Sequence, residues 1–326
     1  MQIVMCLLFL TRMGARAEVR VTVSEGWHWA GILAFLTAVA LLIGTLRLCF
    51  GTLTLVTAVV LLLGVFKICS CITKAKRRQR WEAAGQDVVV LHCSNRGRLA
   101  PSMSPFVIKL ESFLRFAGIP YQLDFDEPFG PKGKTPWVTF NGEELADSQL
   151  ILERLTEHFN LRNSLTKELQ AIARAFVVMM DEHLIWGLRV WRYSIDCGAG
   201  FYECHLHVPF IVSVALPFLC WRMRRALWHQ GMGRHTFAQV QSIVRKDLTA
   251  VSEFLGERRY LMGEELDAVD CVVFAHLANI VYNYHRSPFY VIVTEELPNL
   301  AGYVKRVRQR LWPDWNKCLD PPLPSQ

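Results

Sequence analysis

Residues 88–106 read VVVLHCSNRGRLAPSMSPF, and the parsing of the chain turns on them. Val88 to Leu91 is a short apolar run that gives way to polar His92-Cys93-Ser94-Asn95, the pattern of a buried strand feeding a loop. Pro101-Ser102-Met103-Ser104-Pro105-Phe106 then opens a helix. Ser104 has an N-cap side chain and Pro105 suits the first helical position, where a missing amide costs nothing. Phe106, Leu110, Phe113 and Leu114 follow at helical spacing. Gly118 ends the helix.

Working outward, Tyr121-Gln122-Leu123 reads as a second strand and Thr135-Pro136-Trp137-Val138-Thr139-Phe140 as a third. That third strand reverses at Asn141-Gly142, a strong hairpin signal. Asp147-Ser148 starts another helix, with Leu150, Ile151 and Leu155 on one face. The order is β-α-β followed by β-β-α. Beyond it the signals are helical: Leu169 to Tyr193, Phe237 to Leu255, Cys271 to Tyr284 and Pro298 to Leu311. Asp267 and Asp270 stand as N-cap and N3 carboxylates before the third of these. Pro313 and Pro321-Pro322 close the structure, and the tail after them is expected to be loose. Val208 to Trp221 is apolar, broken by Pro209 and Pro217 and followed by Arg222, Arg224 and Arg225. It is short for a membrane span and reads as a helix on the core, or one lying on a bilayer or a partner.

The amino end differs in kind. The chain of 326 residues carries a net charge of +7, yet residues 1–80 hold 10 basic and 2 acidic side chains, so all the surplus sits there. The body is neutral overall, which argues against nucleic acid as a partner. Trp27–Leu46 and Leu48–Phe66 are uncharged runs separated only by Arg47. Each is near the length that crosses about 30 Å of hydrocarbon, and together they are expected to form a transmembrane hairpin or one tilted crossing. Trp27 and Trp29 suit the aqueous boundary. Lys67, Lys74, Lys76, Arg77, Arg78 and Arg80 follow, marking the cytosolic side. Cys69 and Cys71 beside the span fit a palmitoylation pattern. Met1 to Ala17 lacks a basic residue ahead of its apolar run, so it does not read as a signal peptide. With the body in the cytosol, the 10 cysteines are expected to be thiols.

The combination resembles a glutathione transferase fold: an α/β thioredoxin-like half, then an all-α half, preceded by the transmembrane helix or helical hairpin. It is more closely similar to the failed axon connections (Fax) family, relatives of the metaxins. The residues that carry this are Pro101–Phe106 with Lys109 and Glu111, Gly133-Lys134-Thr135-Pro136-Trp137, Tyr260-Leu261-Met262-Gly263 with Asp270, Phe274-Ala275-His276-Leu277-Ala278, and Arg306 to Pro313. They extend over residues 87–315. The implied organisation is an amino-terminal segment 1–26, a membrane region 27–66, a basic linker 67–86, a thioredoxin-like domain 87–160, a helical domain 161–315 and a tail 316–326.

The resemblance also implies a site. Ser104 stands where omega-like transferases carry a nucleophilic cysteine. It either donates a hydrogen bond to a glutathione thiolate or serves only as an N-cap. Pro136 resembles the cis-proline of the fold, which would expose the Thr135 backbone to the cysteinyl part of glutathione, unless that bond is purely structural. Asp147-Ser148 matches the acidic-Ser pair that holds the γ-glutamyl group at a helix start, and is equally an ordinary helix start. Cys93 lacks a CxxC partner. Cys197, Cys204, His205 and His207 fit no zinc spacing, so no metal is expected. His183 reads as a packed core histidine. The first reading is a membrane-anchored interaction protein with a role in axon development, glutathione its only candidate cofactor, an unknown protein partner and a dimer within reach. The alternatives are an active glutathione transferase and a metaxin-like part of mitochondrial protein import.

Overall fold

The computed structural model describes residues 23–161, 165–204 and 210–321. It divides into two units, Met1–Arg77 and Arg78–Gln326.

The described part of the first unit belongs to one helix, α1 (Val23–Glu82), about 90 Å long at 1.5 Å per residue. The helix runs straight through Arg47, so the expected hairpin is not formed. The reason is local: Thr45-Leu46-Arg47-Leu48 holds no Pro, Asn or Gly-rich pair to turn the chain, and one charged residue does not interrupt helical hydrogen bonds. Described apolar side chains such as Leu33, Leu61 and Leu62 are exposed. Gly51–Glu82 is long and apolar enough to cross a membrane. The leader-like stretch 1–17 lies outside the described residues.

The second unit begins with four short strands: β1 (Val89–His92), β2 (Tyr121–Asp124), β3 (Trp137–Phe140) and β4 (Glu143–Ala146). Their order in the sheet is β2-β1-β3-β4, with β1 and β2 parallel and the other pairings antiparallel. Helix α2 (Pro105–Ala117) makes the β1–β2 crossover and ends at Gly118, whose φ of 66° is the left-handed cap that glycine adopts without strain. Asn141 and Gly142, at φ 48° and 82°, turn β3 into β4 as the sequence indicates. Helix α3 (Ser148–His158) follows. The expected β-α-β-β-β-α order is therefore observed.

The helical half starts with α4 (Lys167–Val178) and continues through a π-turn at Met179–Leu184, α5 (Ile185–Val190) and a second π-turn at Trp191–Ile195. Then come α6 (Ala199–Cys204), α7 (Phe210–Gln230), α8 (Phe237–Leu255), α9 (Ala268–Ala278) with a π-turn at Asn279–Asn283, α10 (Pro288–Val291) and α11 (Pro298–Leu311). One continuous core joins both halves, because α9 is buried throughout and packs along α2. The chain after Pro313 is packed as far as it is described, and of the expected tail 316–326 residues 322–326 lie outside the described residues. Trp315, Cys318 and Leu319 are buried, Asp314 pairs with Arg115 at 2.5 Å, and the Asp320 amide donates to the Gly97 carbonyl.

The start of α9 is a full capping box. Asp267 accepts from Val269, and the Asp270 side chain accepts from the amides of Asp267 and Leu261 and from the Tyr303 hydroxyl. Burial pushes the Asp270 carboxyl up to about 6. Removing it takes the acceptor from the Leu261 and Asp267 amides and leaves the Tyr303 hydroxyl only the Asp270 carbonyl at 3.3 Å, each lost bond worth about 1–3 kcal/mol. Asp270→Ala is expected to cost about 3 kcal/mol or more in urea unfolding of Arg78–Gln326, with Asp270→Asn keeping part of that. A loss under about 1 kcal/mol would contradict the assignment.

Candidate functional site

Strand register brings the expected residues to one end of the sheet. His92 at the end of β1 pairs with Trp137 at the start of β3, and Trp137 pairs with Ala146 at the end of β4. Pro136 and Asp147, one residue beyond, therefore stand side by side on the edge that β1 leaves at Cys93. The parallel β1-α2-β2 crossover returns the start of α2, with Ser104 at its N-cap, to that same edge.

Each residue there is in an unusual state. The Thr135–Pro136 bond is cis. Thr135 makes no hydrogen bond among the described residues, and its buried hydroxyl oxygen has no partner. Asp147 is held at φ 88°, ψ 115°, a conformation that costs a non-glycine residue about 1–3 kcal/mol. Its carboxylate accepts from the Gln149 and Leu150 amides at 3.1 and 3.5 Å. The first-turn amide of the buried Ser148 has no intrahelical acceptor.

Ser104 occupies the N-cap position, but its hydroxyl makes no cap bond. Its own amide donates to Ser102 Oγ at 3.1 Å. The loop before it is fastened to the helical half. The Asn279 amide donates to the Met103 carbonyl at 2.9 Å, Arg192 Nη1 to the same oxygen at 3.3 Å, and the Asn283 amide to the Ser102 carbonyl at 3.0 Å. Asn279 and Asn283 are the first and last residues of a π-turn, the kind of helical irregularity that recurs at functional sites. Sequence reasoning missed both. The signal was two amides inside an otherwise apolar helix, where each buried polar group needs a partner.

Two of the buried thiols are held away from the thiolate form. Cys93 is buried, and burial followed by the nearby Glu111 pushes its thiol up to about 12; Cys204 is pushed by burial to about 11. Among the described residues no side-chain cluster could hold a metal; His205 and His207 lie outside them. His183 is not a packed core histidine: its side chain is 48% exposed and Nδ1 meets Asp247 at 2.7 Å. It sits on the solvent flank of the Met179–Leu184 π-turn, which turns Met180 and Leu184 inward instead.

The opposite face of the sheet is covered by the last residues of α1. Between β2 and β3 the chain forms no helix, and Trp81 fills that place. It meets His92 edge-on at 4.4 Å and Trp137 at 5.5 Å, while His92 stacks on Trp137 at 3.8 Å. The fully buried imidazole bonds Asp124 through Nδ1 at 2.8 Å and Thr139 through Nε2 at 2.9 Å. Arg78–Glu144 and Arg80–Asp126 flank this contact on the exposed surface, where such pairs contribute little.

Residues 105–197 match the family described as Glutathione S-transferase N-terminal domain, and residues 244–307 match Glutathione S-transferase, C-terminal domain. Failed axon connections of Drosophila melanogaster is 30% identical over 250 residues, 71% of this chain and 60% of that protein. The chain thus spans less than two thirds of that relative. Isoprene-epoxide–glutathione S-transferase of a Rhodococcus species is 30% identical over 234 residues, 64% of this chain and 93% of the relative. Metaxin-2 of Mus musculus is 20% identical over 218 residues, 64% of this chain and 83% of that protein.

Burial depresses the His92 pKa, more than Asp124 raises it. Protonation is therefore easier in the unfolded chain, and folding stability is present above the ordinary histidine range and lost as pH falls through it. Buried His276 acts in the same sense. The urea midpoint of Arg78–Gln326 is expected to fall between about pH 7 and 5, with a shallower fall in His92→Gln. An unchanged slope in that variant would contradict the assignment.

Proposed function

The chain belongs to the glutathione S-transferase family, and on that premise we propose that it is a membrane-tethered, glutathione-binding interaction protein without reductase chemistry. It is related to Failed axon connections and to metaxin-2, and the first likeness supports a role in axon development. The carrying observation is the state of the nucleophile position: the Ser104 hydroxyl there makes no cap bond, while Cys93, the thiol closest to it in sequence, is buried and pushed up to about 12. Thiol–disulfide and dehydroascorbate-type reduction need a cysteine thiolate, which a serine hydroxyl near neutral pH cannot replace.

The frame fits glutathione. Thr135 has hydrogen-bonding groups that nothing among the described residues satisfies, which suits main-chain pairing with the cysteinyl residue. The start of α3 offers the Ser148 amide, the Ser148 hydroxyl and the dipole end to the γ-glutamyl carboxylate, and Asp147 is the acid beside it. The strained backbone of Asp147 is maintained although an unstrained N-cap would satisfy the helix equally well, which supports a ligand role. Bound glutathione would supply the thiol that the Ser104 position lacks.

A second reading is an active conjugating transferase, favoured by the free Ser104 hydroxyl, which can donate to a glutathione thiolate. The metaxin likeness supports a third, a component of mitochondrial protein import. For the tether, Gly51–Glu82 supplies the apolar length. The basic residues after it support a cytosolic position for the folded unit. Dimerisation and a protein partner belong to the same proposal.

Arg78–Gln326 is expected to be retained on immobilised glutathione. Ser148→Ala should weaken retention about tenfold, the worth of one charge-assisted hydrogen bond, and Ser104→Ala should leave it within about twofold. Conjugation of a model electrophile should stay at background; turnover abolished by Ser104→Ala would replace this reading with the second. Separately, deleting 27–66 should make the full chain extractable from the membrane pellet by a high-salt wash, and a deletion product that resists that wash would remove the tether.

A further inference from the structure

Helix α7 (Phe210–Gln230) turns Leu216, Cys220 and Leu227 into the core, a spacing that places them on one face. The other side of its first half is apolar and uncovered. Val214, Phe218 and Trp221 are 62%, 63% and 51% exposed, and the rings of Phe218 and Trp221 stack at 5.6 Å. Trp228, two turns on, is as exposed. The second half of the helix is basic: Arg222 and Arg225 are exposed, and Arg225 lies over the Trp221 ring at 5.2 Å. Neither pairs with a carboxylate among the described residues, whereas Arg224 is engaged by the Tyr193 carbonyl and the Cys197 sulfur.

The surrounding sequence has the same bias. No Asp or Glu occurs between Glu203 and Asp247, an interval holding Arg222, Arg224, Arg225, Arg234, Arg245 and Lys246. A groove for an apolar peptide would need the exposed rings but not forty-odd residues free of acid. An anionic bilayer surface needs both. Tryptophan and phenylalanine sit at the depth of the headgroups, and arginines beside them meet lipid phosphates and carboxylates.

We propose that the exposed face of α7 docks the folded unit on an anionic lipid surface, with Val214, Phe218 and Trp221 entering the interfacial layer and Arg222 and Arg225 meeting the headgroups. This contact is separate from α1 and does not depend on glutathione binding. It would hold the unit flat on the bilayer, whereas a tether alone leaves it free to swing.

The test uses Arg78–Gln326, which has its own core and lacks the apolar helix. It is mixed with vesicles of phosphatidylserine and phosphatidylcholine, or of phosphatidylcholine alone, and sedimented. Binding is expected to the anionic vesicles and to fall with added salt. Phe218→Ser with Trp221→Ser should reduce partitioning at least about tenfold. Arg222→Glu with Arg225→Glu, which leaves the core untouched, should do the same at low salt. Failure of the wild-type unit to bind anionic vesicles would overturn the proposal, as would binding that both variants retain. So would a wild-type dimer in solution that the Phe218→Ser, Trp221→Ser variant splits, since the face would then be a protein interface.

Discussion

A lysine amino group with no solvent exposure sits between the two halves of the folded unit, and the geometry around the site depends on how it is met. Lys109, on α2, donates to Asp181 at 2.5 Å and to Gln149 at 2.9 Å, with His276 of α9 3.6 Å from the other Asp181 oxygen. One side chain thus links the first helix of the sheet half, the first turn of α3, the π-turn after α4 and the central buried helix. Breaking a buried pair by removing one partner costs about 3–5 kcal/mol, because the other is left uncompensated. Gln149 is two residues from Asp147, so this junction also fixes the start of the helix that frames the site. The bonds from Asn279 and Asn283 to the Ser102–Met103 loop do the same on the Ser104 side.

What the junction holds in place is a frame with a hydroxyl at the start of α2. The strained Asp147, the unsatisfied Thr135 and the open amide at the start of α3 are features that an inert scaffold has no physical reason to keep. The hydroxyl at Ser104 and the buried Cys93, whose thiol burial pushes up, supply no ready thiolate at this end of the sheet. The proposed recognition of a ligand or a partner uses both observations.

Much of this was legible in the sequence, for identifiable reasons. The Asn141-Gly142 turn, the Pro105 start, the Gly118 stop and the Asp267–Asp270 cap are local signals, each with a backbone consequence that needs no tertiary information. Thr135-Pro136 was legible by resemblance. Non-local features were not. A single Arg47 looks like a break between two spans, yet helical hydrogen bonding continues through it. The segment after Pro313 reads as a tail because its partners, Arg115 and Gly97, lie some two hundred residues earlier. Asn279 and Asn283 vanish into an apolar helix when periodicity is the only criterion, and His183 faces solvent because a π-turn shifts the helical phase around it.

The most direct measurement is an amide-resolved NMR titration of Arg78–Gln326 with reduced glutathione. The account gives saturable shifts concentrated at Thr135 and Ser148 and at the amides that open α2, with α7 and the Trp81 face unmoved. Shifts absent at millimolar ligand, or centred away from that end of the sheet, would contradict it.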